Sequence, residues 1–196
     1  SAGSFDVMDR NLGAISGEKD QGDKSSYRDT DGMMYQWGRK DPFANGLFTT
    51  RVSEFLVGGA VANPTLFAGS NTWMTPDNQK LWEPDIKTIY DPCPLGYRVA
   101  TSAVWSGFIK VDDFSSYSQE NYNVKGAFDK GWDFIIDSLG TTAWYPVTPL
   151  IYYYSSGYYF RNNESHIWSS DCEEGHNPVA LRFYYNNESS MYLNIS

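Results

Sequence analysis

The side chains that could perform acid–base or metal chemistry are few in this sequence. His166 and His176 are its two histidines, so a metal site built from several imidazoles is excluded. A serine–histidine–aspartate triad would need one of them, and His166 stands close to Trp168 in a predicted strand, where a packed or surface role is favoured. The sequence contains no GxSxG motif, glycine-rich phosphate loop or paired-carboxylate signature. We therefore expect a protein that is not an enzyme and carries no cofactor.

Two acidic stretches resemble fragments of calcium sites. Residues 29–32 (DTDG) match the start of an EF-hand loop, but no glutamate follows at the twelfth position. Residues 83–85 (EPD) resemble the Glu-Pro-Asn motif of C-type lectins, although they precede Cys93 and those lectins carry the motif late in the chain. We expect solvated loops and no metal at either stretch.

Tyrosine and asparagine are concentrated between residues 152 and 195. Tyrosine with serine, asparagine and glycine is typical of antibody paratopes, where rigid rings combine with adaptable hydrogen-bonding groups. The alternative is that alternate tyrosines fill a β core and asparagines fill turns. We predict a ligand-binding surface made of Tyr153, Tyr158, Asn162, Asn163, Tyr184, Asn186 and Asn187.

The scaffold for these residues begins with a rigid turn and one principal helix. Pro92 and Pro94 fix φ on either side of Cys93, and residues 97–99 predict a short strand. Thr101 is a good N-cap, and apolar residues follow it at helical spacing. We predict a helix at about residues 102–110 whose apolar side faces the core through Trp105, Phe108 and Ile109.

Short strands make up the rest of the prediction. Further strands are expected at 5–8, 132–136, 143–147, 151–154, 158–161, 166–169, 179–185 and 190–195, and residues 33–37 are expected to form a buried strand or turn. Residues 155–157 (SSG) are a hairpin signature, so the C-terminal third should be an antiparallel meander. Long loops separate the earlier elements, and Trp37, Trp144 and Trp168 are expected to be structural anchors.

Length and composition indicate one domain that covers residues 1–196. With 15 basic and 24 acidic residues the net charge is −9, which argues against binding nucleic acid or anionic membranes. No run of 18 apolar residues exists, so direct membrane insertion is not expected. The opening residues (SAGS) suggest a fragment or processed form of a longer surface protein.

Three stretches carry a family resemblance. Residues 91–105 (DPCPLGYRVATSAVW) resemble the CPxGWRVPT…W signature of the FISUMP-type major paralogous domain of bacterial surface lipoproteins and fimbrial tip proteins. Residues 8–14 with 35–43 resemble the N-terminal half of that family, and residues 167–170 with 180–183 resemble its YWSS…A…L.F half. The resemblance implies an α+β, C-type-lectin-like fold with a twisted antiparallel sheet, one principal helix and long loops.

The resemblance also implies a function and a location. We expect a non-catalytic recognition domain of an extracellular adhesin at a bacterial surface or fimbrial tip, with a host or bacterial surface glycan or protein as partner, and fimbrial subunits as further partners. The alternatives are a variable receptor-binding protein of the diversity-generating-retroelement type, an enzyme similar to the formylglycine-generating enzyme, and a pilus subunit without a ligand. In the family, the cysteine at the Cys93 position pairs with a late cysteine that has no counterpart here, so we expect Cys93 and Cys172 to be unbridged.

Overall fold

A computed structural model of the chain describes residues 5–19, 28–43, 50–52, 57–69, 80–110, 119–128, 130–151, 158–159, 164–172, 178–185 and 193–195. Its elements in chain order are β1 (Thr50–Val52), α1 (Val57–Ala62), β2 (Leu66–Ala68), α2 (Ser102–Ser106), a 3-10 turn (Gln119–Asn121), β3 (Val124–Phe128), β4 (Gly131–Ile135), β5 (Thr142–Pro146), β6 (Leu150–Ile151), β7 (Tyr158–Tyr159), β8 (Glu164–Cys172), β9 (Pro178–Tyr184) and β10 (Leu193–Ile195).

The strands pair into small sheets, most of them antiparallel. Two three-stranded sheets have the orders β3-β4-β5 and β10-β9-β8, and β6 pairs with β7. The strands β1 and β2 form a parallel pair, which the sequence did not predict. Few helices and mainly antiparallel strands make this an α+β fold, as predicted. Within the described residues, neither helix is long and apolar enough to span a membrane.

The first core cluster lies where β4 and β5 meet β9 and α2. Trp132 and Phe134 of β4 are fully buried, and Phe183 of β9 packs edge-on against Phe134 with ring centroids 5.5 Å apart. Trp105 of α2 joins the same cluster. Each fully buried aromatic side chain contributes on the order of 2–3 kcal/mol through removal of its surface from water.

The second core cluster lies in the N-terminal half. Trp37 and Trp82 are buried with ring centroids 5.5 Å apart, and Trp168 of β8 packs against them. Two indole bonds tie this half to β8: Trp37 Nε1 donates to the Ser169 carbonyl at 2.7 Å, and Trp168 Nε1 donates to the Tyr35 carbonyl at 2.8 Å. Because neighbouring residues of a strand point to opposite faces, Ile167 contacts the first cluster and Trp168 the second.

The helix α2 is shorter than the predicted span of 102–110. It ends at Ser106 because the chain turns at Gly107, and Ile109 then forms a β-bridge with Tyr122. Phe108 is nevertheless buried and Ile109 partly buried against the first cluster, so the predicted apolar side does face the core. The fold therefore has two short helices in its described part instead of one principal helix.

Asp171 of β8 caps this helix in place of the predicted residue. Thr101 occupies the N-cap position, but its side chain makes no capping hydrogen bond. The Asp171 carboxylate accepts from the Ser102 backbone N–H instead. A carboxylate at a helix N-terminus satisfies an otherwise unpaired N–H group and complements the helix dipole.

The predicted strands at 5–8 and 97–99 are wrong, and residues 33–37, expected as a buried strand or turn, form no strand. Residues 5–8 and 97–99 are irregular, and residues 33–37 contribute one isolated bridge, Met34 with Phe43. Near residues 97–99 the backbone bonds to a side chain instead of a neighbouring strand. The N–H groups of Cys93 and Val99 both donate to the carboxylate of buried Asp91, at 2.8 and 2.9 Å. Pro94 does begin a turn, which the Tyr97 backbone N–H closes by donating to the Pro94 carbonyl at 3.0 Å.

Candidate functional site

The predicted binding surface is described in part. Tyr184 is partly buried on β9, and Tyr158 lies in β7, where its backbone is opposite Ile151. The remaining predicted residues lie outside the described part of the chain: Tyr153, Asn162, Asn163, Asn186 and Asn187. The joint surface thus stays a prediction, and Tyr184 is the one of its side chains that the structure describes.

Tyr184 belongs to a polar cluster on one face of β8 and β9. The strand register places Glu164 opposite Tyr184 and His166 opposite Arg182. Residues two apart in a strand share a face, so all four side chains lie on the same side of the sheet. Phe183, on the opposite side, is fully buried in the first core cluster, which holds this part of β9 in place.

Glu164 is the centre of the cluster, and its side chain is 0% exposed. Its Oε1 atom accepts from Arg182 Nη2 at 3.0 Å, from the Tyr184 hydroxyl at 2.9 Å and from His166 Nε2 at 2.7 Å. The Tyr184 hydroxyl in turn accepts from Arg182 Nη2 at 2.9 Å. We name these four residues the Glu164 cluster.

Hydrogen bonding decides the charge of Glu164. Burial by itself raises the pKa of this carboxyl, but the donors on His166, Arg182 and Tyr184 outweigh burial and hold the pKa well below its usual range. An ionised carboxylate can only accept, so His166 Nε2 carries the proton in their contact. That nitrogen cannot also accept from Arg182 Nε, which lies 3.2 Å away.

A cavity of about 460 Å³ adjoins the cluster. Its wall holds aromatic side chains from both halves of the chain: Tyr35, Trp37, Trp82, Trp105, Tyr145 and Trp168. Residues 6–8 and 10–12 of the N-terminal segment line it as well, and His166 belongs both to the wall and to the Glu164 cluster. The size and the aromatic lining are typical of small-ligand pockets.

Several polar groups on aromatic side chains of this wall are bonded to backbone carbonyls. The indole N–H groups of Trp37, Trp82 and Trp168 each donate to a carbonyl, and the Tyr145 hydroxyl donates to the Met8 carbonyl. Burial raises the pKa of Tyr35 to about 12 and also raises that of Tyr145, so both phenols stay protonated. These aromatic side chains therefore offer mainly ring surface, except that the Trp105 indole N–H has no hydrogen-bond partner among the described residues.

Both cysteines are free thiols that pack against the second core cluster. Burial, with the nearby charge of Asp91, raises the pKa of Cys93 to about 12. Burial, with the charge of Asp171, raises the pKa of Cys172 to about 11. Thiols with such pKa values are poor nucleophiles at neutral pH because the thiolate is the reactive form.

Sequence patterns indicated neither Glu164 nor Arg182 as a site residue and gave His166 no role in binding. The predicted strand began at His166, which placed Glu164 in a loop. The useful signal was the spacing, since Glu164 with His166 and Arg182 with Tyr184 are each two residues apart in consecutive strands. In the described residues, no group of three or more His, Cys, Asp or Glu side chains could hold a metal ion, and the stretches 29–32 and 83–85 form none.

The chain matches no protein-family model, no curated protein and no solved structure. The geometry of the Glu164 cluster and of the cavity is therefore what supports a function.

Proposed function

We propose that this protein is a non-catalytic recognition domain that binds its ligand through the C-terminal sheet. As the resemblance to FISUMP-type, C-type-lectin-like domains implies, it acts outside the cell, at a bacterial surface or fimbrial tip, on a glycan or protein partner. One observation carries the proposal: Arg182 and Tyr184 reach the surface while buried Glu164 holds both in position.

Such an arrangement favours binding because the side chains are ordered before the ligand arrives. Immobilising a long side chain on binding costs about 0.5–1.5 kcal/mol, and a guanidinium that is already hydrogen-bonded avoids much of that cost. The backbone is fixed too, since Trp132 Nε1 donates to the Tyr184 carbonyl at 2.8 Å. Arginine and tyrosine are among the residue types that dominate binding energies.

The same geometry gives little support to the enzymatic alternative. A general base works best with a pKa near the working pH, whereas Glu164 has its pKa held far below that range. Chemistry like that of the formylglycine-generating enzyme would need a reactive thiol, and both thiols have raised pKa values.

The experiment replaces three residues of the predicted surface together: Tyr158→Ala, Tyr184→Ala and Asn186→Ser. We expect adhesion to cells or immobilised glycans to fall at least ten-fold, with a melting temperature lowered by only a few degrees. The matched control is Leu139→Ala, a change at a 91% exposed side chain in the turn between β4 and β5. Full adhesion of the folded triple variant contradicts the proposal, and loss of folding assigns these residues to the core.

A further inference from the structure

We propose that the Glu164 cluster is a calcium-independent subsite for a neutral sugar, whose oxygen accepts from Arg182 and whose apolar face lies on the Tyr184 ring. This inference rests on the proposed function and specifies its ligand class.

Arg182 retains donors for a ligand. Both hydrogens of Nη2 are used, one toward Glu164 Oε1 and one toward the Tyr184 hydroxyl. The Nη1 group has no hydrogen-bond acceptor in the described part of the chain, and 32% of the side chain is exposed. Since the guanidinium is planar and rigid, Nη1 presents two N–H groups in a fixed direction next to Tyr184.

His166 adds a second point of contact. Its Nε2 atom is occupied by Glu164, and 22% of its side chain is exposed. Its Nδ1 atom has no partner among the described residues, and that atom can accept from a sugar hydroxyl while the ring is neutral. Sugar hydroxyls both donate and accept, so a hydroxyl pair could use both Nδ1 and Nη1.

The charge of the cluster favours a neutral ligand. The Glu164 carboxylate and the Arg182 guanidinium cancel, so an incoming anion would gain little net attraction there. The protein as a whole carries a net charge of −9, which repels anions further. A neutral hydroxyl or carbonyl oxygen can still use the charge-assisted donor on Nη1 without that repulsion.

Tyr184 supplies the apolar part of the subsite. Its hydroxyl both donates to Glu164 and accepts from Arg182, so this group is committed within the protein. Tyr184 is only partly buried, so a ligand could contact the part of it that is exposed. A sugar ring has an apolar face of C–H groups and a rim of hydroxyls. The C–H face can lie on the tyrosine ring while the hydroxyls bond to the fixed donors beside it.

The test uses purified protein on a panel of immobilised neutral hexose and N-acetylhexosamine glycans, printed beside sialylated, uronate and sulfated counterparts. We expect binding to neutral members, and calorimetry on the best of them should give a Kd that changes less than two-fold between 50 and 500 mM NaCl and with EDTA. Selective binding of acidic members, with an affinity that falls as salt rises, overturns the inference.

Single variants separate the contributions of donor and ring. Tyr184→Leu removes the ring and should weaken neutral-glycan binding about thirty-fold, whereas Tyr184→Phe keeps the ring and should stay within about three-fold. Arg182→Lys keeps the charge but lacks Nη1, and we expect a loss of about ten-fold. Leu139→Ala should bind like the wild type. If Tyr184→Leu and Arg182→Lys both bind normally as folded proteins, the subsite lies elsewhere.

The outcome also separates this inference from the proposed function. Suppose that the triple variant abolishes adhesion to cells but the wild-type protein binds no glycan of the panel. The sugar-binding inference is then overturned, and the surface remains as a protein-binding surface. If the triple variant still adheres to cells, both the proposed function and the sugar-binding inference are overturned.

Discussion

At the scale of single residues, Glu164 determines how the polar cluster is arranged. Three donors converge on one of its oxygens, and without this carboxylate Arg182 and Tyr184 would lose the group that orients them. A carboxylate that is fully buried is tolerable because charged and neutral donors replace its water shell. Its contribution to stability must depend on its ionisation.

Replacing Glu164 by glutamine should therefore destabilise the protein in a pH-dependent way. Since its folded pKa lies below the ordinary glutamate value of about 4.3, Glu164 contributes stability that is complete above that pH and is lost as the pH falls through the acid range. We expect Glu164→Gln to lower the free energy of unfolding by about 2 kcal/mol at pH 7 and by less at pH 3. Urea unfolding at both pH values measures the difference. An equal loss at both pH values would show that the contribution of Glu164 does not depend on its ionisation.

The two thiols should be present and slow to react. Ellman's reagent in denaturant without reductant should detect two thiols per chain, because both cysteines are free. In the native protein at pH 8, labelling should be about a hundred-fold slower or more, and it should accelerate as the pH approaches 11, since burial raises both pKa values. Cys93→Ser and Cys172→Ser assign the two rates. Zero thiols in denaturant would refute the prediction.

At the scale of elements, β4 and β5 depend on a close approach that only glycine allows. A Cβ atom on buried Gly131 would lie 2.5 Å from Trp144 Cε2 and 2.6 Å from the Tyr145 carbonyl oxygen. Both neighbours belong to β5, whose Tyr145 packs edge-on against Phe134 in the core. The sheet β3-β4-β5 cannot move away from such an atom without disturbing that packing.

Gly131→Ala should consequently cost about 1–3 kcal/mol of unfolding free energy through overpacking. The matched control is Gly58→Ala in α1, where a new Cβ would meet nothing within 4 Å. There alanine should stabilise slightly, by up to about 1 kcal/mol, because it is a better helix former. Urea midpoints of the two variants should move in opposite directions. A stable Gly131→Ala protein would mean that β4 and β5 lie farther apart than the structure shows.

At the scale of the whole molecule, β8 joins the two core clusters. Ile167 packs against the first cluster and Trp168 against the second, and the Trp168 indole bonds to the Tyr35 carbonyl across 133 positions of sequence. A strand shared in this way should make the two halves unfold together. The single domain expected over residues 1–196 can therefore be tested by whether the protein unfolds in one cooperative transition.

We expect one urea transition that coincides when followed by tryptophan fluorescence and by far-ultraviolet circular dichroism. Trp168→Phe should lower the urea midpoint and reduce the free energy of unfolding by about 1–3 kcal/mol, because it leaves the Tyr35 carbonyl without its donor. The transition should remain single in that variant. Two separated transitions in the wild type would instead indicate two folding units.

Local pattern was enough for much of the fold. The α+β class came from the family resemblance, whereas local alternation predicted strands at 132–136, 143–147 and 179–185 that each differ from β4, β5 and β9 by a single residue at either end. These predictions succeeded because alternation and turn residues act over a few positions. Of the site, the sequence indicated Tyr184 through composition, and the function inferred from that composition stays a proposal.

Tertiary structure decided where the polar groups of the chain find their partners. Asp171 caps α2 from 69 residues away, and Glu164 meets Arg182 and Tyr184 only when β8 and β9 pair in this register. Asp91 lies close in sequence to Val99, yet the pattern predicted a strand there and not their hydrogen bond. Side-chain hydrogen bonds compete with strand pairing for the same backbone N–H groups. Hydrophobic periodicity records which face of a strand is buried, but it carries no information about which distant carboxylate will meet a given donor.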